Sequence, residues 1–184
     1  MPADEQPMTQ VHDLGESYDE VLAKFRASLD DTRRHWAAYM LAQYPDRQVL
    51  QVVADAARAA IGAKEVEINA VYKGRQVTVA SAPAQARRVV RQENSLCVLA
   101  AGTGWPLAID DIAHDPITQH HVARKTWGSW ASVPLIIQGY VAGTICALEE
   151  HRRTWSQREE KAMAVLASQI SAEIEDWIES ERSN

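Results

Sequence analysis

Two apolar runs, residues 132–137 (Ser-Val-Pro-Leu-Ile-Ile) and 140–148 (Tyr-Val-Ala-Gly-Thr-Ile-Cys-Ala-Leu), are separated only by Gln138-Gly139. That spacing leaves the chain few options. A two-residue loop ending in glycine closes a tight hairpin, because glycine takes the positive φ that such turns need. One hairpin cannot bury its own faces, so further strands and helices must cover it. Residues 66–72 supply one strand, with Val66, Ile68, Ala70 and Tyr72 alternating against Glu67, Asn69 and Val71. One of its faces reads as buried and the other as more polar. A second strand spans 76–80 beyond Lys73-Gly74-Arg75, and a third spans 107–112.

Helices flank these strands. Ser17 with Glu20, and Ser156 with Glu159, each form a capping-box pattern at a helix start. Residues 49–61 carry a wide, Ala-rich stripe stopped by Gly62. Residues 83–92 and 94–101 read as short helices, and 114–130 have no periodicity of either kind. The expected fold class is α+β: an antiparallel five- to six-stranded sheet. N- and C-terminal helices cover one face, with short helices and the long connector on the other.

The first helix has a distinctive seam. Tyr18, Leu22, Phe25, Leu29, Thr32, Trp36 and Tyr39 follow a 4-3-4-3-4-3 spacing, which is the heptad pattern of helix pairing. The bland reading is packing on the chain's own sheet; the sharper one is a dimer helix. The expected dimer interface combines Tyr18, Leu22, Phe25, Leu29 and Trp36 with Ile170, Ile174 and Trp177 of the last helix. The domain plan is a disordered lead-in over 1–14, a dimerisation helix over 15–43 and a sheet-bearing domain over 44–182.

Composition excludes several function classes. The 184 residues carry a net charge of −6, which disfavours nucleic acid as a partner. Arg87, Arg88 and Arg91 read as a solvated helix face rather than a phosphate-binding patch. The two cysteines, Cys97 and Cys146, lack CxxC spacing and fit a reduced, cytoplasmic protein without disulfide or zinc. No apolar run is long enough to span a membrane, and the first ten residues do not read as a signal peptide.

Chemistry-bearing residues gather late in the chain. His114, Asp115, His120 and His121 look superficially like metal ligands, but adjacent histidines point apart, so no metal site is expected. Asp110 and Asp111 face opposite ways on a strand, one of them toward a cavity. Cys97 reads either as a buried inert thiol or as a reactive one, and Cys146 as structural. Four of the six tryptophans lie between Trp105 and Trp155; Trp105, Trp127 and Trp130 suit a lid, a partner surface or a plain roof over the sheet.

The ordered set Leu96-Cys97, Gly104-Trp105-Pro106-Leu107, Asp110-Asp111, Asp115-Pro116, Ser132-Val133-Pro134-Leu135, Gly139 to Thr144 and Trp155 to Glu159 resembles the GAF domain family over about 46–175. The resemblance implies a small-molecule cavity between sheet and connector, dimerisation through terminal helices, and relay to a downstream signalling protein. Departures narrow the ligand. Glu149-Glu150 stand where cyclic-nucleotide-binding members have Asn-Lys. Members that reduce free methionine sulfoxide use three cysteines; Cys97 resembles one, but Val122-Ala123-Arg124 stand where another should be. Without a second thiol nearby, a sulfenic acid on Cys97 could not be resolved internally. The connector cysteine of bilin-binding members is absent, while His120 or His121 could serve as a haem ligand.

The resulting expectation is a non-enzymatic, cytoplasmic, homodimeric sensory or regulatory protein that binds an unidentified small molecule. No cofactor, metal, nucleic acid or membrane partner is expected. The candidate pocket is Cys97, Trp105, Asp110, His120, His121, Trp127, Trp130 and Ser132. Two rivals stand beside it: a thiol-based reductase or redox sensor centred on Cys97, and a structural interaction module whose cavity is filled by side chains.

Overall fold

The hairpin forms as its spacing requires. In the computed structural model, which describes residues 2–27 and 31–183, β5 (Ser129–Ile137) and β6 (Tyr140–Glu149) pair antiparallel. Gln138 and Gly139 between them adopt φ of 48° and 81°, so both turn residues are left-handed, as in the favoured two-residue hairpins. The other strands are β1 (Glu65–Tyr72), β2 (Arg75–Ala82), β3 (Val89–Arg91) and β4 (Leu107–Ile109). Together they make one sheet in the order β3-β2-β1-β6-β5-β4, with every neighbouring pair antiparallel. Gly143 sits against β1 with no space for a side chain: a Cβ there would lie 1.8 Å from the Asn69 carbonyl oxygen. Only glycine permits that register.

Helices cover both faces, giving an α+β architecture. On one face α2 (Asp31–Gln43), α3 (Arg47–Ile61) and α5 (Gln157–Arg182) bury Ile68, Ala70, Val133, Leu135 and Ile145. On the other, α1 (Tyr18–Arg26), α4 (Cys97–Thr103) and the connector bury Leu107, Ile109, Trp130 and Leu148. Both capping boxes form, at Ser17/Glu20 and Ser156/Glu159. Each supplies bonds to amide groups that a helix start otherwise leaves unpaired.

Three sequence expectations change. The single N-terminal helix is instead two, α1 and α2, which pack on opposite faces of the sheet. Tyr18, Leu22 and Phe25 join the α4 core, whereas Trp36 packs on the other core; Leu29 lies outside the described residues. Ile170 and Ile174 are fully buried beneath α5, and Trp177 sits edge-on to Tyr44 with ring centroids 5.7 Å apart. The described part of the seam is divided within the chain: Leu22 and Phe25 are buried under α4, while in α2 Trp36 is partly buried and Tyr39 stays 48% exposed. Residues 2–14, expected as a disordered lead-in, run along the molecule with Met8 and Val11 buried. The Met8 amide donates to the Trp155 carbonyl at 2.9 Å, and the Ala108 amide to the Thr9 carbonyl at 2.9 Å, so the backbone beside β4 gains partners. Residues 83–91, expected as part of a short helix, are not helical. The β-branched pair Val89-Val90 adds an edge strand to β2, whose outer backbone groups would otherwise lack partners.

Candidate functional site

Strand alternation places a polar row on the α4 side of the sheet. Glu67 and Asn69 of β1, Gln76 and Thr78 of β2, and Thr144 and Cys146 of β6 are all buried. Glu67, Asn69, Gln76 and Thr78 pair with one another, as buried polar groups tend to. Glu67 Oε2 accepts from Asn69 Nδ2 at 3.2 Å and from Gln76 Nε2 at 3.4 Å. Asn69 Oδ1 accepts from Thr78 at 2.8 Å, and Ser95 donates to Gln76 Oε1. The Arg88 guanidinium pairs with Glu67 and lies 3.6 Å from Glu65, neutralising charge that would be costly to bury alone.

Above this floor lies a cavity of about 190 Å³. Leu96 and Cys97 wall it from α4, Ala123 and Trp127 from the connector, and Trp130 from β5. The Trp130 ring is completely buried, and its Nε1–H has no hydrogen-bond partner among the described residues.

Two sulfurs share this floor. Cys97 Sγ and Cys146 Sγ are 3.7 Å apart, and Asn69 Nδ2 lies 3.5 Å from each. Glu67 Oε2 lies 3.9 Å from Cys146 Sγ. A hydrogen bond from the Cys146 thiol favours the Cys97 thiolate and holds its pKa down at about 7, against the opposing effect of burial. Cys146 is pushed up by the same interaction and by burial. The expectation that Cys97 has no second thiol nearby is thus overturned. Cys146 occupies the same sheet face as Thr144, and α4 opens directly above it, so residues 49 apart in sequence meet.

The remaining candidates divide. Trp127 and Trp130 line the cavity with Cys97. Trp105, 68% exposed, does not. Asp110 instead accepts from Gln10 Nε2 at 3.1 Å and from the Trp155 amide at 3.4 Å, fastening the N-terminal segment. The Ser132 hydroxyl is buried and donates to the Ile145 carbonyl at 3.2 Å.

His120 and His121 line a neighbouring groove of about 470 Å³ with Tyr18 and Ile117. His120 is exposed. His121 is buried, accepts from the Ala123 amide through Nδ1 at 3.1 Å, and tilts against Tyr18 at 4.9 Å. Burial lowers its pKa. The Tyr18 hydroxyl sits between the carbonyls of Gln92 (2.8 Å) and Ser95 (2.7 Å). Its pKa is raised by burial, with the Cys97 and Glu93 charges adding to the effect. His114 pairs with Asp111 at 2.9 Å and Asp115 with His12 at 2.8 Å. Among the described residues, no three His, Cys, Asp or Glu groups converge as a metal site.

Sequence reasoning missed Glu67, Asn69, Gln76, Arg88 and Ser95. The available signal was the polar alternation in β1, which marks a floor once that face is known to be roofed.

A sheet roofed by a connector over such a cavity can be compared with known proteins. The GAF domain family profile matches residues 28–174. The chain belongs to the GAF domain family. Solved GAF folds superpose on it at low identity. The blue-light-absorbing form of the Thermosynechococcus elongatus PixJ GAF domain gives a TM-score of 0.63 at 18% identity, covering 85% of this chain and 94% of that one. The GAF domain from a Coxiella burnetii phosphoenolpyruvate-protein phosphotransferase gives 0.60 at 16%, covering 85% and 98%. A type II free methionine-R-sulfoxide reductase from Thermoplasma acidophilum gives 0.60 at 16%, covering 71% and 92%. No curated protein matches the chain. Within this GAF domain no helix is long and apolar enough to cross a membrane, among the described residues.

Proposed function

We propose that this GAF domain is a non-enzymatic sensory or regulatory module that binds a small polar molecule between sheet and connector. The observation carrying the reading is the cavity itself: a floor of charged and amide groups flanked by two indole rings. The open space beside Trp127 and Trp130 disfavours an interaction module with a filled interior.

Size narrows the class. About 190 Å³ corresponds to roughly six waters of liquid volume and falls below the ~300–1,000 Å³ common for drug-sized ligands. A cyclic nucleotide or a tetrapyrrole exceeds it. The paired Glu67 and Arg88 suit a compact molecule bearing a carboxylate, an amine or both, with its apolar part against the indoles. Solved structural neighbours include a domain of a two-component sensor histidine kinase protein from Sinorhizobium meliloti, in keeping with a sensing role. Output would pass to a second copy or to a downstream signalling protein, since occupancy bears on α4 and the connector, on which α1 rests.

A panel of small carboxylates, amines and zwitterions titrated into the full chain, followed by tryptophan fluorescence and thermal stability, tests this reading. One chemical class is expected to shift emission and raise the melting temperature, and Arg88→Ala should weaken that response roughly tenfold. No response from any member, with an Ala123→Trp plug raising stability, would overturn it.

A further inference from the structure

We infer that Cys97 and Cys146 form a redox-active pair on the cavity floor, which a hydroperoxide entering the cavity converts to a disulfide and an external dithiol returns to two thiols. Three observations converge. The sulfurs are 3.7 Å apart, so a bond of about 2.05 Å needs a closure of roughly 1.7 Å shared by two side-chain rotations. Both cysteines line the cavity, which brings a small oxidant beside them; each is nearly fully buried, so the final approach needs a small opening of the wall. The surroundings also divide the roles, because Cys146 and Asn69 can both donate to a Cys97 thiolate. A lowered Cys97 pKa and a raised Cys146 pKa agree with that division.

The chemistry balances. The Cys97 thiolate attacks one peroxide oxygen, the O–O bond breaks, and Cys97 sulfenic acid forms with release of hydroxide, which takes up a proton to become water. The Cys146 sulfur then attacks the Cys97 sulfur, the S–O bond breaks, and the departing hydroxide takes the Cys146 proton as a second water. Two thiols lose two electrons and the peroxide gains them. For a hydroperoxide ROOH, the first product is the alcohol instead.

The bridge would tie the first residue of α4 to β6. Helix α4 carries α1 closely: a Cβ on Gly102 would lie 3.1 Å from Val21 Cγ1 and 3.3 Å from Phe25 Cβ. The oxidation state of the pair is therefore placed to bear on α1 and on the cavity wall together. None of this depends on which molecule the cavity otherwise binds.

The test uses the full chain, reduced, freed of reductant and exposed to excess hydrogen peroxide, then denatured with N-ethylmaleimide and weighed intact. The inference expects both alkylations to vanish together in a species lighter by two hydrogens, with dithiothreitol restoring both. Cys146→Ser should accumulate a sulfenic acid at Cys97 that dimedone traps. Cys97→Ser should lose Cys146 alkylation at least roughly tenfold more slowly. Thiols that stay fully alkylatable, or are lost independently without an intramolecular bridge, would overturn it. The wild-type mass decides this even if a variant fails to fold.

Discussion

Asn69 holds the floor of the cavity together. Its amide N–H groups face Glu67 and both sulfurs, while its carbonyl oxygen accepts from Thr78. Asn69→Asp replaces a donor to the thiolate with a second carboxylate beside Glu67, so it should raise the Cys97 pKa. Alkylation rate against pH is expected to show a wild-type midpoint near about 7 and a midpoint at higher pH in the variant. The groups setting that midpoint are the Cys146 thiol first, then the Thr144 and Ser95 hydroxyls and the Asn69 amide, all acting against burial. His121 gives a second pH handle. Burial lowers its folded pKa below the unfolded value of about 6.5, so the unfolded chain binds the extra proton and stability falls as pH drops below about 6.5. His121→Asn, which keeps an acceptor for the Ala123 amide, should flatten that part of the melting-temperature profile; parallel wild-type and variant curves would contradict the assignment.

At the scale of elements, the first half of the apolar seam, Leu22 and Phe25, is buried inside the molecule. Leu22 is 6% exposed and packs in the core between α1 and α4. Leu22→Asp should therefore destabilise the fold by about 3 kcal/mol or more, since it buries an unpaired charge; chemical denaturation measures this. Gly143→Ala should cost about 2–3 kcal/mol, because the β1–β6 register has no room for a Cβ. The hairpin, the capped helices, the Ala-rich stripe of α3 and the antiparallel sheet could all be read from sequence, as each rests on local pattern and turn chemistry. The split of the first helix could not, because heptad spacing serves an intramolecular core as well as a partner helix. The cavity was half-readable. Trp127, Trp130 and Cys97 could be placed, but Glu67, Asn69, Gln76 and Arg88 come from strands and a loop that only the sheet order brings beneath them. The Cys97–Cys146 meeting is likewise a product of topology, invisible in their separation along the chain.

At the scale of the whole molecule, the sheet has two unlike faces. Three helices close one with aliphatic packing. The other is roofed by two short helices and a connector over buried polar groups. Packing density favours filling such spaces with side chains, so the volume left open beside Trp127 and Trp130 is what the proposed guest would fill. Native mass spectrometry of the freshly purified full chain tests this most directly. A noncovalent small-molecule adduct is expected that is shed on gentle activation, returns on titration with the chemical class found by fluorescence, and is missing from the Ala123→Trp variant. A bare protein mass under every condition, unchanged by any member of the panel, would contradict it.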